Sequence, residues 1–371
     1  MQGCTVTIDR TSAVTDESGH YEVELPDGTY DVTAVKEGYM AGAGTVTVNG
    51  GAAEVQPIVL APESEVETET ISSEQMDVFV AKDFPSVVRY EMKGDMKGKT
   101  FYGQTKAIHT LRVNGVDLEV TPENVKTEFS GDKAVYAMTV KDDGNHIDAV
   151  ITAELTVEGS DLKFDITEIK NNLEGETTEN KYGQKVETYP LQTIAIPDHS
   201  LISVRTTQEG ANLKGAVMSS NTHKSGDEYV EVTDGMEAMS NRDYMYAFVS
   251  NAELSAGMWS NSEHEGRVVA APVNGGSQNT RIYASTEARA GYTTLGLASA
   301  EWYYHRNITD SKGETYTVKE TEMPKCAVTI AGDMNEDQAV DWQDGAVAFR
   351  DIMNNPNKSE EVPELVAWRI A

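Results

Sequence analysis

Oxygen-bearing side chains stand at positions one, three, five, nine and twelve of the segment Asp333–Asp344, as Asp333, Asn335, Asp337, Asp341 and Asp344. Ala339 at position seven would add a backbone carbonyl, and Val340 at position eight would plug the loop into a core. Oxygens at this spacing wrap a short loop around one hard cation, and Ca²⁺ takes six to eight of them. The expected ligands are therefore Asp333, Asn335, Asp337, Ala339, Asp341 and Asp344, around a structural Ca²⁺. Position six of such loops favours Gly for a sharp turn, and here it is Gln338. Positive φ at that residue would cost on the order of 1 kcal/mol. The competing reading is a solvated acidic turn in a chain with 61 acids.

Two aromatic clusters could do different chemistry. One is Met258-Trp259-Ser260-Asn261 and the other is Glu301-Trp302-Tyr303-Tyr304-His305-Arg306. Sugars bind by stacking on flat rings beside convergent polar groups, so Trp259, Trp302, Tyr303 and His305 are candidate carbohydrate contacts. Strand alternation offers the alternative that Trp302 and Tyr304 point into a core while Tyr303 and His305 face water. The seven histidines show no HExxH spacing and no pairing with cysteine, so no zinc site is expected. No GxSxG elbow and no phosphate-cradling glycine loop occur. Among 61 acids no catalytic pair can be chosen, and no catalytic residue is assigned.

The elements that must position these residues read as strands. Ile151-Thr152-Ala153-Glu154-Leu155-Thr156-Val157-Glu158 is apolar at every odd position, and after Gly159-Ser160-Asp161 the alternation resumes through Ile166. Two half-buried strands around a tight turn make an antiparallel hairpin. Val113-Asn114-Gly115-Val116 carries the Asn-Gly pair of a type I′ turn. Similar short runs recur from Met76 to Ile330. Only beyond the cation loop does the period change. Ala346, Val347, Phe349, Ile352 and Met353 follow helical spacing, Asn354-Asn355-Pro356 ends that helix, and Ser359-Glu360-Glu361 resembles a cap for another.

Composition narrows the setting. The chain has 371 residues, enough for two or three domains, and a formal net charge of −31. So acidic a surface repels nucleic acid and anionic lipid. No run approaches the roughly 20 apolar residues that would span a bilayer. Cys4 and Cys326 stand at opposite ends, which argues against a disulfide framework. The Thr/Gly/Asn-rich, cysteine-poor composition suits an exported bacterial protein, secreted or attached to the cell wall, whose signal segment would lie upstream. Pro62-Glu63-Ser64-Glu65-Val66-Glu67-Thr68-Glu69 reads as a solvated acidic linker.

Residues 1–61 resemble the carboxypeptidase-regulatory-like β-sandwich, a prealbumin-like module. The resemblance rests on Asp16-Glu17-Ser18-Gly19-His20-Tyr21, Leu25-Pro26-Asp27-Gly28-Thr29-Tyr30-Asp31-Val32 and Glu37-Gly38-Tyr39. The strand and turn that open that family before Gly3 are absent. From about Glu74 onward the chain is similar to the front of an endo-α-N-acetylgalactosaminidase of glycoside hydrolase family 101. That likeness is carried by Asp77-Val78-Phe79-Val80, Phe84-Pro85-Ser86-Val87-Val88-Arg89-Tyr90, Gly332-Asp333-Met334-Asn335 and Val340-Asp341-Trp342-Gln343-Asp344-Gly345-Ala346. It continues with Arg350-Asp351-Ile352-Met353 and Val362-Pro363-Glu364-Leu365-Val366.

The resemblance implies an exported bacterial enzyme that releases Gal-β-1,3-GalNAc from Ser/Thr of mucin-type O-glycoproteins with retention. Its galactose-mutarotase-like β-supersandwich would precede a catalytic (β/α)₈ barrel that holds both carboxylates and lies beyond Ala371. The expected architecture is all-β. A truncated prealbumin-like sandwich spans 1–61, a linker 62–74 and the antiparallel supersandwich 75–330. The calcium loop and a helical lead-in to the barrel occupy 331–371. The alternative function is a carbohydrate-binding or adhesive β-sandwich protein without activity.

Overall fold

The computed structural model describes residues 1–36, 39, 42–60, 66–218, 227–232, 243–244, 246–262, 282–289, 292–309, 311–319 and 322–353. The expected helix end at 354–356, the second cap at 359–361, and His223 and His264 lie outside the described residues. The chain divides into two compact units, Met1–Val66 and Glu67–Ala371.

In the first unit a four-stranded antiparallel sheet runs in the order Thr11–Val14, Thr5–Ile8, Gly28–Val35, Gly42–Val48. Alternation turns Val6, Ile8, Val32, Ala34 and Val46 to one face. Tyr21, Val23, Leu25, Val55, Ile58 and Leu60 cover that face from chain that forms no ladder.

The second unit holds the remaining described strands, every described pair of which is antiparallel. A nine-stranded sheet takes the order Val125–Ser130, Lys133–Asp142, Ile147–Glu158, Asp161–Asn171, Lys325–Ala331, Ser255–Ser260, Tyr246–Ser250, Asn212–Met218, Asp227–Val232. An eight-stranded sheet runs from Asp243–Tyr244 through Ile282–Arg289, Tyr292–Ser299, Ile202–Arg205, Thr100–Tyr102, Val87–Met92 and Met76–Ala81 to Thr68–Ser72. One continuous apolar core takes residues from both, among them Ile151, Leu155, Phe164 and Val328 from the first and Val78, Tyr90, Phe101 and Leu297 from the second. A smaller sheet orders Val116–Glu119, Thr110–Val113, Thr193–Ala195, Trp302–Tyr303.

Local chemistry explains the turns. Glu158 pairs with Asp161 across Gly159-Ser160, and Ile151, Ala153, Leu155 and Val157 are all buried. Asn114 and Gly115 take φ of 52° and 78°, the left-handed values that a type I′ turn demands. The one described α-helix, Trp342–Met353, lies on the outer face of the nine-stranded sheet. There Gly257 leaves room for the Phe349 ring, which meets Phe248 edge-on at 5.8 Å. Cys4 and Cys326 are free and buried, one in each unit.

Candidate functional site

The segment Asp333–Asp344 leaves the strand Lys325–Ala331 and feeds the helix Trp342–Met353. Glu336 and Gln338 take φ of 60° and 70°, so position six makes the sharp turn without a glycine. Each acid then serves its own loop. Asp333 Oδ2 accepts the Gln338 amide at 3.0 Å, and Asn335 Oδ1 accepts the Asp337 amide at 3.1 Å. Asp337 accepts from the Ala339 amide at 2.9 Å and from the Asn335 side chain at 3.1 Å. Asp333, Asn335, Asp337 and Ala339 are exposed, and Val340 and Asp341 are half-buried.

Asp341 and Asp344 also form a capping box. Asp341 Oδ1 takes the Gln343 amide at 2.7 Å, while Asp344 Oδ2 reaches back to the Asp341 amide at 2.9 Å. Asp344 is fully buried, and its Oδ1 accepts the amides of Met334 at 2.7 Å and Asn335 at 3.2 Å. A carboxylate offers about four lone-pair sites, so three amides leave Asp344 roughly one for a cation. The outer oxygens are hard donors of the type Ca²⁺ takes. Among the described residues no group of three or more His, Cys, Asp or Glu converges closely enough to hold a metal ion. Ser255 completes the support, since its hydroxyl accepts the Gly345 amide at 3.1 Å. Sequence reading missed this anchor, because Ser255 is 90 residues away.

The aromatic candidates separate. Trp302 and His305 are 2% and 8% exposed. Trp302 stacks on Phe164 at 5.9 Å inside the core, and His305 stacks on Tyr304 at 4.9 Å. Neither ring has a face open to a sugar, which corrects the expected carbohydrate role of these two. Alternation put His305 in water because it assumed one strand. Instead Trp302–Tyr303 and His305–Thr309 belong to different sheets. The Tyr304 and His305 amides both point to the Gln192 carbonyl, at 2.7 and 3.2 Å, so the side-chain phase resets. His305 Nδ1 sits 3.4 Å from Glu187 Oε2. Tyr303 is half-buried, and Trp259 is half-buried on the outer face of the nine-stranded sheet.

Beside Phe164 lies His199, 1% exposed, its ring edge-on at 5.4 Å. It donates to the Pro85 carbonyl, and burial lowers it from 6.5 to about 4. Its Nε2 and the Trp302 Nε1 have no hydrogen-bond partner among the described residues.

A family model described as a galactose mutarotase-like fold domain matches residues 71–342. A protein of Renibacterium salmoninarum that bears the provisional name endo-alpha-N-acetylgalactosaminidase is 28% identical over 305 residues. The match covers 81% of this chain but only 18% of that protein, so the chain spans less than a fifth of its relative's length. A structural protein of a virus isolated in Victoria, Australia, is 46% identical over 55 residues, 15% of this chain and 11% of that protein. Among solved structures, a galactose mutarotase related enzyme from Lactobacillus acidophilus aligns at 8% identity and a TM-score of 0.33, over 72% of this chain and 98% of that one. A family 36 α-galactosidase from Geobacillus stearothermophilus aligns at 8% identity and a TM-score of 0.31, over 72% of this chain and 41% of that one.

Proposed function

The chain belongs to the family of galactose mutarotase-like fold domains, and from that membership we propose that it is the non-catalytic front of a secreted endo-α-N-acetylgalactosaminidase of glycoside hydrolase family 101. The observation that carries the reading is the 28% identity to the Renibacterium protein, sustained over 305 residues. In this reading the large β unit shapes and supports a catalytic barrel encoded downstream. The complete enzyme would act on mucin-type O-glycoproteins, releasing Gal-β-1,3-GalNAc with retention. Retaining chemistry needs two carboxyl groups about 5 Å apart, and both would come from that barrel.

The loop belongs to the same proposal. Asp333, Asn335, Asp337, the Ala339 carbonyl, Asp341 and Asp344 would hold a structural Ca²⁺ where the β unit leads into the following segment. The hard oxygen set and the left-handed turn at Gln338 support it.

Hydrolysis of an aryl α-glycoside of Gal-β-1,3-GalNAc tests the reading. The 371-residue chain is expected to release no aglycone, and the product of the longer coding sequence is expected to release it with retention. Turnover by the chain alone, scaling with its concentration and surviving purification, would sink the proposal.

A further inference from the structure

Three Asn-Gly pairs occur in the sequence, Asn49-Gly50, Asn114-Gly115 and Asn274-Gly275. Such pairs can rearrange without an enzyme, because a glycine nitrogen beside no Cβ can approach the preceding side-chain amide closely. Whether this happens in a folded chain depends on how freely that amide moves. The third pair lies outside the described residues, and the first two are held in opposite ways.

Asn114 is pinned. Its Nδ2 donates to the Pro190 carbonyl at 3.0 Å, and its Oδ1 accepts the amides of Gln192 at 2.6 Å and Thr193 at 3.2 Å. Its φ of 52° also fixes it in the type I′ turn. The side-chain amide is therefore tied to another segment, and its carbon cannot swing onto the Gly115 nitrogen.

Asn49 stands one residue beyond the strand Gly42–Val48, just past the terminal pair of Gly28 and Val48. It is exposed, and among the described residues no hydrogen bond holds its side chain. Gly50 takes a left-handed φ of 69°, and a Cβ there would meet nothing within 4 Å. The Gly50 amide donates to Asp27 Oδ1 at 2.7 Å, across the end of the sheet. A carboxylate at that distance is within reach of the proton it would take as a general base.

We infer that Asn49 is a site of spontaneous deamidation in the folded chain and that Asn114 is not. The Gly50 nitrogen bonds to Asn49 Cγ while Asp27 takes its proton. The Cγ–Nδ2 bond then breaks, and that nitrogen leaves as ammonia with the proton. One water molecule opens the resulting succinimide ring, at either carbonyl, to aspartate or isoaspartate. Either product puts a new negative charge near Asp27, and isoaspartate also lengthens the backbone beside Val48. The change thus weakens one end of the first unit's sheet as the protein ages.

Peptide mapping by mass spectrometry tests this on the full 371-residue chain, aged at mildly alkaline pH, with an isoaspartate-specific methyltransferase as second readout. In the native chain, conversion at Asn49 should run at least about tenfold faster than at Asn114, whose hydrogen bonds must break first. In urea the two rates should converge, since both pairs then share the same local chemistry. Asp27→Ser keeps an acceptor oxygen but removes the base. It should slow native conversion at Asn49 several-fold and leave the rate in urea unchanged. Native conversion at Asn114 as fast as at Asn49 would overturn the inference, as would a difference that survives in urea. An unaltered native rate in Asp27→Ser would overturn the part given to Asp27.

Discussion

The hairpin Ile147–Asn171 and the loop Asp333–Asp344 hold their shapes by different means. In the hairpin the order is set by apolar side chains on one face, Ile151, Ala153, Leu155 and Val157, each at most 2% exposed. Its outward charges are optional, since Glu154 merely meets Lys133 at 2.5 Å in partly solvated surroundings. In the loop nearly every acid is engaged by a backbone amide. There the polar groups are the structure. Removing an apolar residue should therefore hurt the hairpin, whereas the loop should respond to charge and to cations.

The largest effect should come from Leu155→Ala, which opens a cavity in the core and should cost roughly 2–5 kcal/mol. Glu154→Ala, next to it on the opposite face, should cost under about 0.5 kcal/mol. Chemical denaturation of both variants checks the contrast, and equal losses would mean that apolar burial does not order this strand.

A second expectation concerns the polar member of the same core. His199 is held neutral by burial, its pKa lowered from 6.5 to about 4. The unfolded chain thus binds the proton first as pH falls. Stability conferred by the neutral ring is complete above pH 6.5 and is lost progressively toward pH 4. The loss should amount to about 3 kcal/mol, at about 1.36 kcal/mol per pKa unit. Urea midpoints between about pH 7 and pH 4 should show this slope, and His199→Gln should flatten it. A slope unchanged in that variant would assign the acid sensitivity to the carboxylates.

The two regions also differ in how far a single sequence reveals them. Alternation with period two located the hairpin, its turn and its buried face, because burial depends on local phase. The Asn114-Gly115 turn was legible for the same reason: its backbone demand is local. What could not be read was non-local. The strand Lys325–Ala331 joins Asp161–Asn171 to Ser255–Ser260, and nothing near any of the three announces that pairing. His305 was misplaced because the shared Gln192 carbonyl interrupts the strand, a break with no signature in residue type. Asp341 and Asp344 show a further limit. Their spacing suits both a cation loop and a capping box, and the structure displays the cap.

Thermal unfolding of the full chain in calcium and in chelator is the most direct measurement of whether the loop is a cation site as well as a cap. A ligand that binds only the folded form adds about 2.7 kcal/mol at a hundredfold excess over Kd. Calcium is expected to raise the melting temperature, and Asp337→Ala is expected to remove most of that rise while leaving the capping box of Asp341 and Asp344 in place. Superimposable transitions in calcium and chelator, together with no calcium heat by titration calorimetry, would contradict the account and leave the segment a helix cap alone.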